Sequence, residues 1–576
     1  TIENNLDVET QRFQIAIAKT DVLRAEGGGL LRGIPDGYVE FPIGVGGPAS
    51  PLVTGTATSA TPTTSVPTDV YEFNVLRGTA TTLTILPFSY AAGPNIPTFD
   101  PAIVGNLNWQ HATTPEISTV TTGTPTLITN TATGDLGFQQ GYSWGTQVNL
   151  GYNSNRQNLN SIRSNYNPYT SSSLGLTVTQ PLLRGFGPAV NRRFIRIAKN
   201  NQKISTLLFK QQLIAAVYGV TRLYLDLLAL HDDLRVKQDT LRSAQTLYEN
   251  TKASVEEGTL APVELTRAEA EVAGAQQDLV NSQGLFEEQE VILKNVLTRG
   301  GSRDPAIRPA HIVPTETLNV PDKEPVLLAD EMMAQAFANR PDLAQAGLQI
   351  DNSQIALRGT RNALLPEIDL VGVAQNAALA GSPNSLLNTA SASGLSGATV
   401  APTDLGSIGG YGTAFGQLFT RQNPTYGVGI QLNLPLRNRI AQADMERDQL
   451  QFRQAQASQA QLRNQAELEV DDALIAVRRA RAAYDAAVKT TRLQTQSLEI
   501  EQYRFQNGVS TSFFVIQYQA YLSQARSTEV VAKNNYFKAK AALDRATGLI
   551  LQTNNVSFDD AYHGKSSQPP TKPPVP

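Results

Sequence analysis

VEEGTLAPVELTRAEAEV, residues 255 to 272, sets a glycine and a proline between two strongly helical runs. RFQNGVSTSFFVIQYQAYL, residues 504 to 522, repeats the arrangement, with Gly508 lying 250 positions after Gly258. Beyond each glycine, mostly apolar or small side chains recur in alternating steps of three and four. The first series is Leu265, Ala268, Val272, Ala275, Leu279, Ser282, Phe286, Gln289, Leu293 and Val296. The second is Val515, Tyr518, Leu522, Ala525, Glu529, Ala532, Tyr536, Ala539, Leu543 and Ala546. A mean period of 3.5 keeps one seam toward a neighbouring helix and imposes a left-handed supercoil. Coiled-coil-like helices are therefore predicted over 261–298 and 512–549. Residues 191–257 hold no proline and one glycine, Gly219, and residues 441–507 hold neither. At 1.5 Å per residue each would be a rod of about 100 Å, too long for the core of a compact globule.

The repeat continues upstream. LTVTQPLL at 176–183 corresponds to IQLNLPL at 430–436, and NNLDVETQRFQIAIAKTDVLRAEGGGLL at 4–31 to NRPDLAQAGLQIDNSQIALRGTRNALL at 339–365. Each half thus reads as short helix, strands, long helix, medium helix. The first repeat is placed at 1–300, with a Gly/Thr/Pro-rich insert at 33–137 and barrel strands at about 145–183. The second spans 329–550, with its short helix at 341–363 and strands at about 367–375 and 426–436. An inter-repeat linker occupies 301–328 and a flexible Pro-rich tail 551–576. The insert and a Ser/Gly/Ala-rich segment at 376–424 read as surface loops; TFDPAIVGNLNWQH, 98–111, is a further strand candidate without a place in this plan.

Residues 174–179 alternate Leu174, Leu176 and Val178 with Gly175, Thr177 and Thr179. Residues 428–434 do the same with Val428, Ile430, Leu432 and Leu434. Period two gives one apolar and one polar face. Such a strand fits a half-buried soluble sheet, or a transmembrane β-barrel with lipid outside and a watery lumen within. On the second reading, TQVNLGYNSNRQ at 146–157 and EIDLVGVAQ at 367–375 complete four strands. Trp144, Tyr142, Tyr152, Tyr169, Tyr411 and Tyr426 would form the aromatic girdles. Four strands cannot close a barrel, and open edges are not tolerated in lipid, so closure requires oligomerisation; three copies give twelve strands.

NRPDLAQAG at 339–347, ALLPEIDL at 363–370, LTVTQPLL at 176–183 and the two glycine turns, in this order twice over, resemble the TolC-like outer-membrane efflux family across nearly the whole chain. The resemblance implies an α+β membrane protein: a homotrimer with a 12-stranded transmembrane β-barrel, four strands per protomer, continuous with a long periplasmic α-helical barrel. It implies an exit duct of a tripartite efflux pump or type I secretion system in the outer membrane, partnered by a periplasmic adaptor and an inner-membrane transporter. Carried onto this chain, Gly258, Thr259, Leu260 and Ala261 with Gly508, Val509, Ser510 and Thr511 form the adaptor-contacting tips. The best-known member bears aspartates six and nine residues after the second glycine; here Phe514 and Gln517 stand there. Glu256, Glu257 and Glu264 could narrow the mouth instead, with Phe514 as an apolar constriction, or could be ordinary solvated helix-end charges. Leu174, Leu176, Val178, Val428, Ile430 and Leu432 are the expected lipid-facing residues.

The remaining composition agrees. A net charge of −4 without a basic stripe argues against nucleic acid. The absence of cysteine suits an oxidising compartment. The chain begins at Thr1, which fits either removal of a signal peptide, the favoured expectation, or a sequence that is part of a longer one, and no apolar run reaches the roughly 20 residues of a membrane helix. His111, His231, His311 and His563 are scattered, and GGGL at 27–30 lacks the context of a phosphate cradle. Neither an enzyme, a metal site nor a cofactor is expected. The alternative function is a periplasmic coiled-coil adaptor or scaffold without a pore, which would not need strands with lipid-compatible faces.

Overall fold

The computed structural model describes residues 2–33, 41–42, 44–46, 48, 93–305, 307–315, 318–322, 328–386 and 405–565. Helix α1 is Leu6–Glu26, started by Asn5, whose side-chain oxygen accepts from the N–H groups of Asp7 at 3.0 Å and Val8 at 3.1 Å. Four strands follow: β1 (Ala102–Pro115), β2 (Thr126–Gly141), β3 (Gln147–Leu159) and β4 (Tyr166–Pro181). Next come the long helix α2 (Arg193–Glu256) and α3 (Pro262–Leu297). The second half runs α4 (Ala329–Asn339), α5 (Pro341–Ala363), β5 (Glu367–Pro383), α6 (Tyr411–Gln417), β6 (Pro424–Asn433), α7 (Arg439–Gln506) and α8 (Ser512–Ala546). Two short helices, α9 (Ile550–Thr553) and α10 (Phe558–His563), close the described chain.

Helix α2 packs along α3, and α7 along α8. The seam side chains that the 3.5-residue period picks out are the buried ones: Ala268, Ala275, Leu279 and Leu293 on α3, and Val515, Leu522, Tyr536 and Leu543 on α8. Helices α1 and α5 also lie against the long helices. At the junction of α1 with α3, the Asn5 side-chain amide donates to the Val296 carbonyl at 3.2 Å. At the equivalent junction of α5 with α8, the Arg340 guanidinium reaches the Ala546 carbonyl at 3.4 Å. Each half is therefore one continuous rod beside one made of two helices placed end to end. The halves are locked where Asp226 of α2, almost wholly buried, meets Lys538 and Asn534 of α8, the Asn534 amide donating at 2.9 Å.

Several expectations need correction. Among the described residues the sheet has six strands, in the order β1-β2-β3-β4-β5-β6 and antiparallel throughout, not four. Strand β1 takes up the strand candidate at 98–111 that has no place in the plan, and β2 lies largely in the part of 33–137 expected to be loop, where Thr, Gly and Asn dilute the strand signal. Residues 34–40, 43, 47 and 49–92 of that stretch lie outside the described residues. Strand β5 continues to Pro383, and α6 folds back onto the sheet, so 376–424 is not simply a surface loop. Nor is 551–565 a free tail: Phe558 and Tyr562 set their rings 5.5 and 6.3 Å from that of Phe209, and Ala561 is fully buried. Residues 566–576 lie outside the described residues. Finally, α2 does contain one window long and apolar enough to cross a membrane, but most of it is buried inside the protein; Leu213, Leu223, Leu227 and Leu230 there are core residues.

Candidate duct: sheet faces and hairpin tips

Residues opposed in an antiparallel pair share a face, so the register sorts every strand. Val148, Leu150 and Tyr152 oppose Val178, Leu176 and Leu174. Leu176 opposes Ala374, which opposes Tyr426; Val178 opposes Gly372, which opposes Val428; Leu370 opposes Ile430 and Ile368 opposes Leu432. All six expected lipid-facing residues therefore stand on one face, which is apolar over most of its area. Val428, Ile430 and Leu432 are 83%, 70% and 63% exposed. Leu174 is the exception, because α6 lays Ala414 and Leu418 over Ala378, Ala380, Tyr152 and Leu174. The opposite face carries Asn149, Asn153, Asn155, Thr177, Thr179, Gln375 and Gln431.

The two ends of the apolar face are aromatic. At the helix-facing end, where β4 leads into α2, Trp144 and Phe186 have ring centroids 5.9 Å apart. At the far end Phe415 of α6 stacks edge-on with Tyr152 at 5.8 Å and Phe419 at 5.3 Å, and Arg156 covers the Tyr411 ring at 5.2 Å. Aromatic rings with polar tips favour such boundaries between hydrocarbon and water. Tyr169 is not part of this set: its hydroxyl donates to Gln157 on the polar face.

At the opposite end of the rods the two glycines take the left-handed backbone that stops a helix, φ +75° at Gly258 and +74° at Gly508. Their turns match. The N–H of Thr259 donates to the Ser254 carbonyl and that of Val509 to the Arg504 carbonyl, both at 2.9 Å. Thr259, Leu260 and Ala261 lead into α3, whose first turn begins with Pro262, and Val509, Ser510 and Thr511 lead into α8. The tips touch, since the Ser512 hydroxyl donates to Glu264.

Of the residues proposed for a constriction, the structure brings together Glu264 and the Phe513–Phe514 pair, through Arg267. That guanidinium donates to Glu264 at 2.7 Å and lies 6.0 Å from the Phe513 ring; Phe513 and Phe514 are 5.5 Å apart. Glu256 and Glu257 remain exposed on the first tip, and Gln517 turns along its own helix to donate to Tyr521 at 2.8 Å. Ser510 donates to Glu501, which Arg504 also holds at 3.2 Å. Glu264 and Glu501 are thus each paired with an arginine of the same helix, whereas Glu256 and Glu257 stay exposed to solvent.

A sheet apolar on one face and polar on the other, continued by helical hairpins that reach far from it, defines a channel-forming outer-membrane protein. The chain belongs to the outer membrane efflux protein family, which it matches over residues 139–299 and 332–549. Its fold is that of solved outer-membrane channels. The CmeC channel of Campylobacter jejuni is 14% identical, with a TM-score of 0.53 over 81% of this chain and 82% of that one. VceC of Vibrio cholerae is 14% identical, TM-score 0.53, over 78% and 87%. A membrane protein from Pseudomonas aeruginosa is 15% identical, TM-score 0.54, over 95% and 88%. Among curated protein sequences no relative matches. The protein is an efflux channel, not an enzyme and not an adaptor without a pore.

Proposed function

We propose that three copies of the chain assemble into one exit duct, its sheets forming a barrel in the outer membrane and its helices projecting into the periplasm. The observation that carries this reading is the apolar sheet face bounded at both ends by strand edges. Hydrocarbon satisfies no backbone N–H or C=O, so those edges must pair with further copies. The polar face then lines a water-filled passage, and substrate moves along it by diffusion. The tips, Gly258 to Ala261 and Gly508 to Thr511, meet a periplasmic adaptor that links the duct to an energised inner-membrane transporter, in a tripartite pump or type I secretion system. Glu256, Glu257, Glu264, Phe514 and Gln517 surround the periplasmic mouth, where Phe514 supplies apolar bulk and Glu264 holds the two tips together. Purified protein reconstituted into planar bilayers is expected to give discrete single-channel steps, with conductance raised by Glu264→Gln and by Phe514→Ala. Absence of steps would refute the duct; unchanged conductance and ion selectivity in both variants would refute the constriction.

A further inference from the structure

We infer that the β1–β2 hairpin belongs to the membrane wall, so that the assembled barrel has eighteen strands and closes by pairing β1 of one copy with β6 of the next. This rests on the trimer proposed above. In a twelve-stranded barrel the edge of β3 would have to receive β6 of a neighbour. That edge is filled: β2 pairs with β3 from Thr129↔Leu159 to Gly141↔Gln147, and β1 pairs with β2 from Ala102↔Gln139 to Pro115↔Thr126. Among the described residues, the edges left for another copy are those of β1 and β6.

The hairpin has the faces of a membrane wall, continuous with those of the other strands. Ile103 opposes Phe138, which opposes Leu150; Gly105 opposes Leu136, which opposes Tyr152. Leu107 and Trp109 follow on the same face, and Ile103, Leu107 and Trp109 are 77%, 89% and 68% exposed. The other face presents Asn106, Asn108 and Gln110 beside Thr131, Thr133 and Asp135. With 14 and 16 residues, both strands exceed the roughly 9–11 that a tilted strand needs to cross hydrocarbon.

The apolar band is also slanted as barrel closure requires. On β6 it spans Tyr426 to Leu432 and centres on Gly429, which pairs with Val371 of β5. On β1 it spans Ile103 to Trp109 and centres on Asn106; through Asp135, Asn153 and Ser173 that row reaches Ala377 of β5. Between Val371 and Ala377 the band has climbed about 20 Å along the strands, while crossing five strand spacings of about 4.8 Å, roughly 24 Å. A level membrane band then implies strands tilted by about 40°, within the 35–45° of closed barrels. A hairpin folded away from the wall has no reason to keep this slope. At that tilt and spacing, eighteen strands enclose a backbone cylinder about 36 Å across, against about 24 Å for twelve. The passage at the membrane is accordingly wide, lined mainly by amides and hydroxyls with the carboxylates of Asp135 and Asp369 among them, and suited to bulky polar cargo.

The lack of native cysteine makes crosslinking a direct test. Asn106→Cys on β1 is combined in turn with Gly427→Cys, Gly429→Cys and Gln431→Cys on β6, all on the polar face; a second set replaces Asn106→Cys by Asn153→Cys on β3. A short thiol crosslinker should give covalently joined subunits in the first set and none in the second. Joining in the second set, or none in the first, overturns the inference. Top views of the unmodified protein in detergent provide the independent readout. A threefold particle with eighteen strands supports both readings, and a threefold particle with twelve overturns the inference while leaving the trimer standing. A particle without threefold symmetry overturns the trimer itself.

Discussion

Leu176 and Thr177 are neighbours in sequence whose side chains stand on opposite faces of β4, and an arginine placed at each separates the two environments. The row through Leu176 contains Ile103, Phe138, Leu150, Ala374 and Tyr426, so no charged partner is at hand on that face. A guanidinium facing mid-membrane lipid costs about 2–4 kcal/mol per chain, or roughly 6–12 kcal/mol for three copies. At Thr177 the row holds Asn149 and Val373 on the polar face, and the same charge should change stability by only about 0.5 kcal/mol. The two variants should therefore differ by about 1.5–3.5 kcal/mol, roughly ten- to three-hundred-fold in the folding equilibrium per chain. Denaturant titration of folding into lipid vesicles, followed by tryptophan fluorescence, measures it. Equal cost at the two positions, or a larger one for Thr177→Arg, would refute the assignment of faces and with it the barrel.

Lys538→Met leaves the Asp226 carboxylate buried with Asn534 as its remaining partner, and should cost about 3–5 kcal/mol. Adding Asp226→Leu should restore most of it, as read by thermal unfolding in detergent; a single-variant loss under about 1 kcal/mol would discount the lock between halves. Gly508→Val forces a β-branched residue to φ +74° and should lose about 1–2 kcal/mol locally, whereas Gly508→Asn should stay near wild type. Hydrogen exchange across the tip distinguishes them, since no atom lies within 4 Å of the position a Cβ would take, and a purely steric account predicts no loss for either. Burial pushes the Glu290 carboxyl upward, but the Ile312 N–H at 2.6 Å, Lys294 at 3.2 Å and His311 at 3.3 Å outweigh it and hold the group below its ordinary value. A carboxyl so lowered stabilises the fold above its unfolded value and loses that contribution as pH falls through its folded one. Glu290→Gln should therefore be most costly near neutrality, and the difference should shrink below about pH 4, in melts recorded against pH.

The sequence by itself determined the helices and the pairing of halves, because both rest on local pattern. Leu265 to Val296 and Val515 to Ala546 repeat at the period that a packed seam demands, and most of those positions are buried. The glycines at 258 and 508 needed no tertiary information either, since only a left-handed residue ends such a rod and turns it back. The alternation in 174–178 and 428–432 was equally legible. What remained hidden depended on the partner strand. Ile103, Leu107 and Trp109 alternate with Asn106, Asn108 and Gln110, but such a pattern identifies a strand without stating which edge it joins. Only the register showed β2 occupying the edge of β3 and raised the strand count from four to six. The same holds for Asp226 and Lys538, which are unremarkable helix residues until two rods far apart in sequence bring them together. Period and turn are properties of a few consecutive residues; edges, buried ion pairs and the slope of an apolar band belong to segments that meet only in the folded chain.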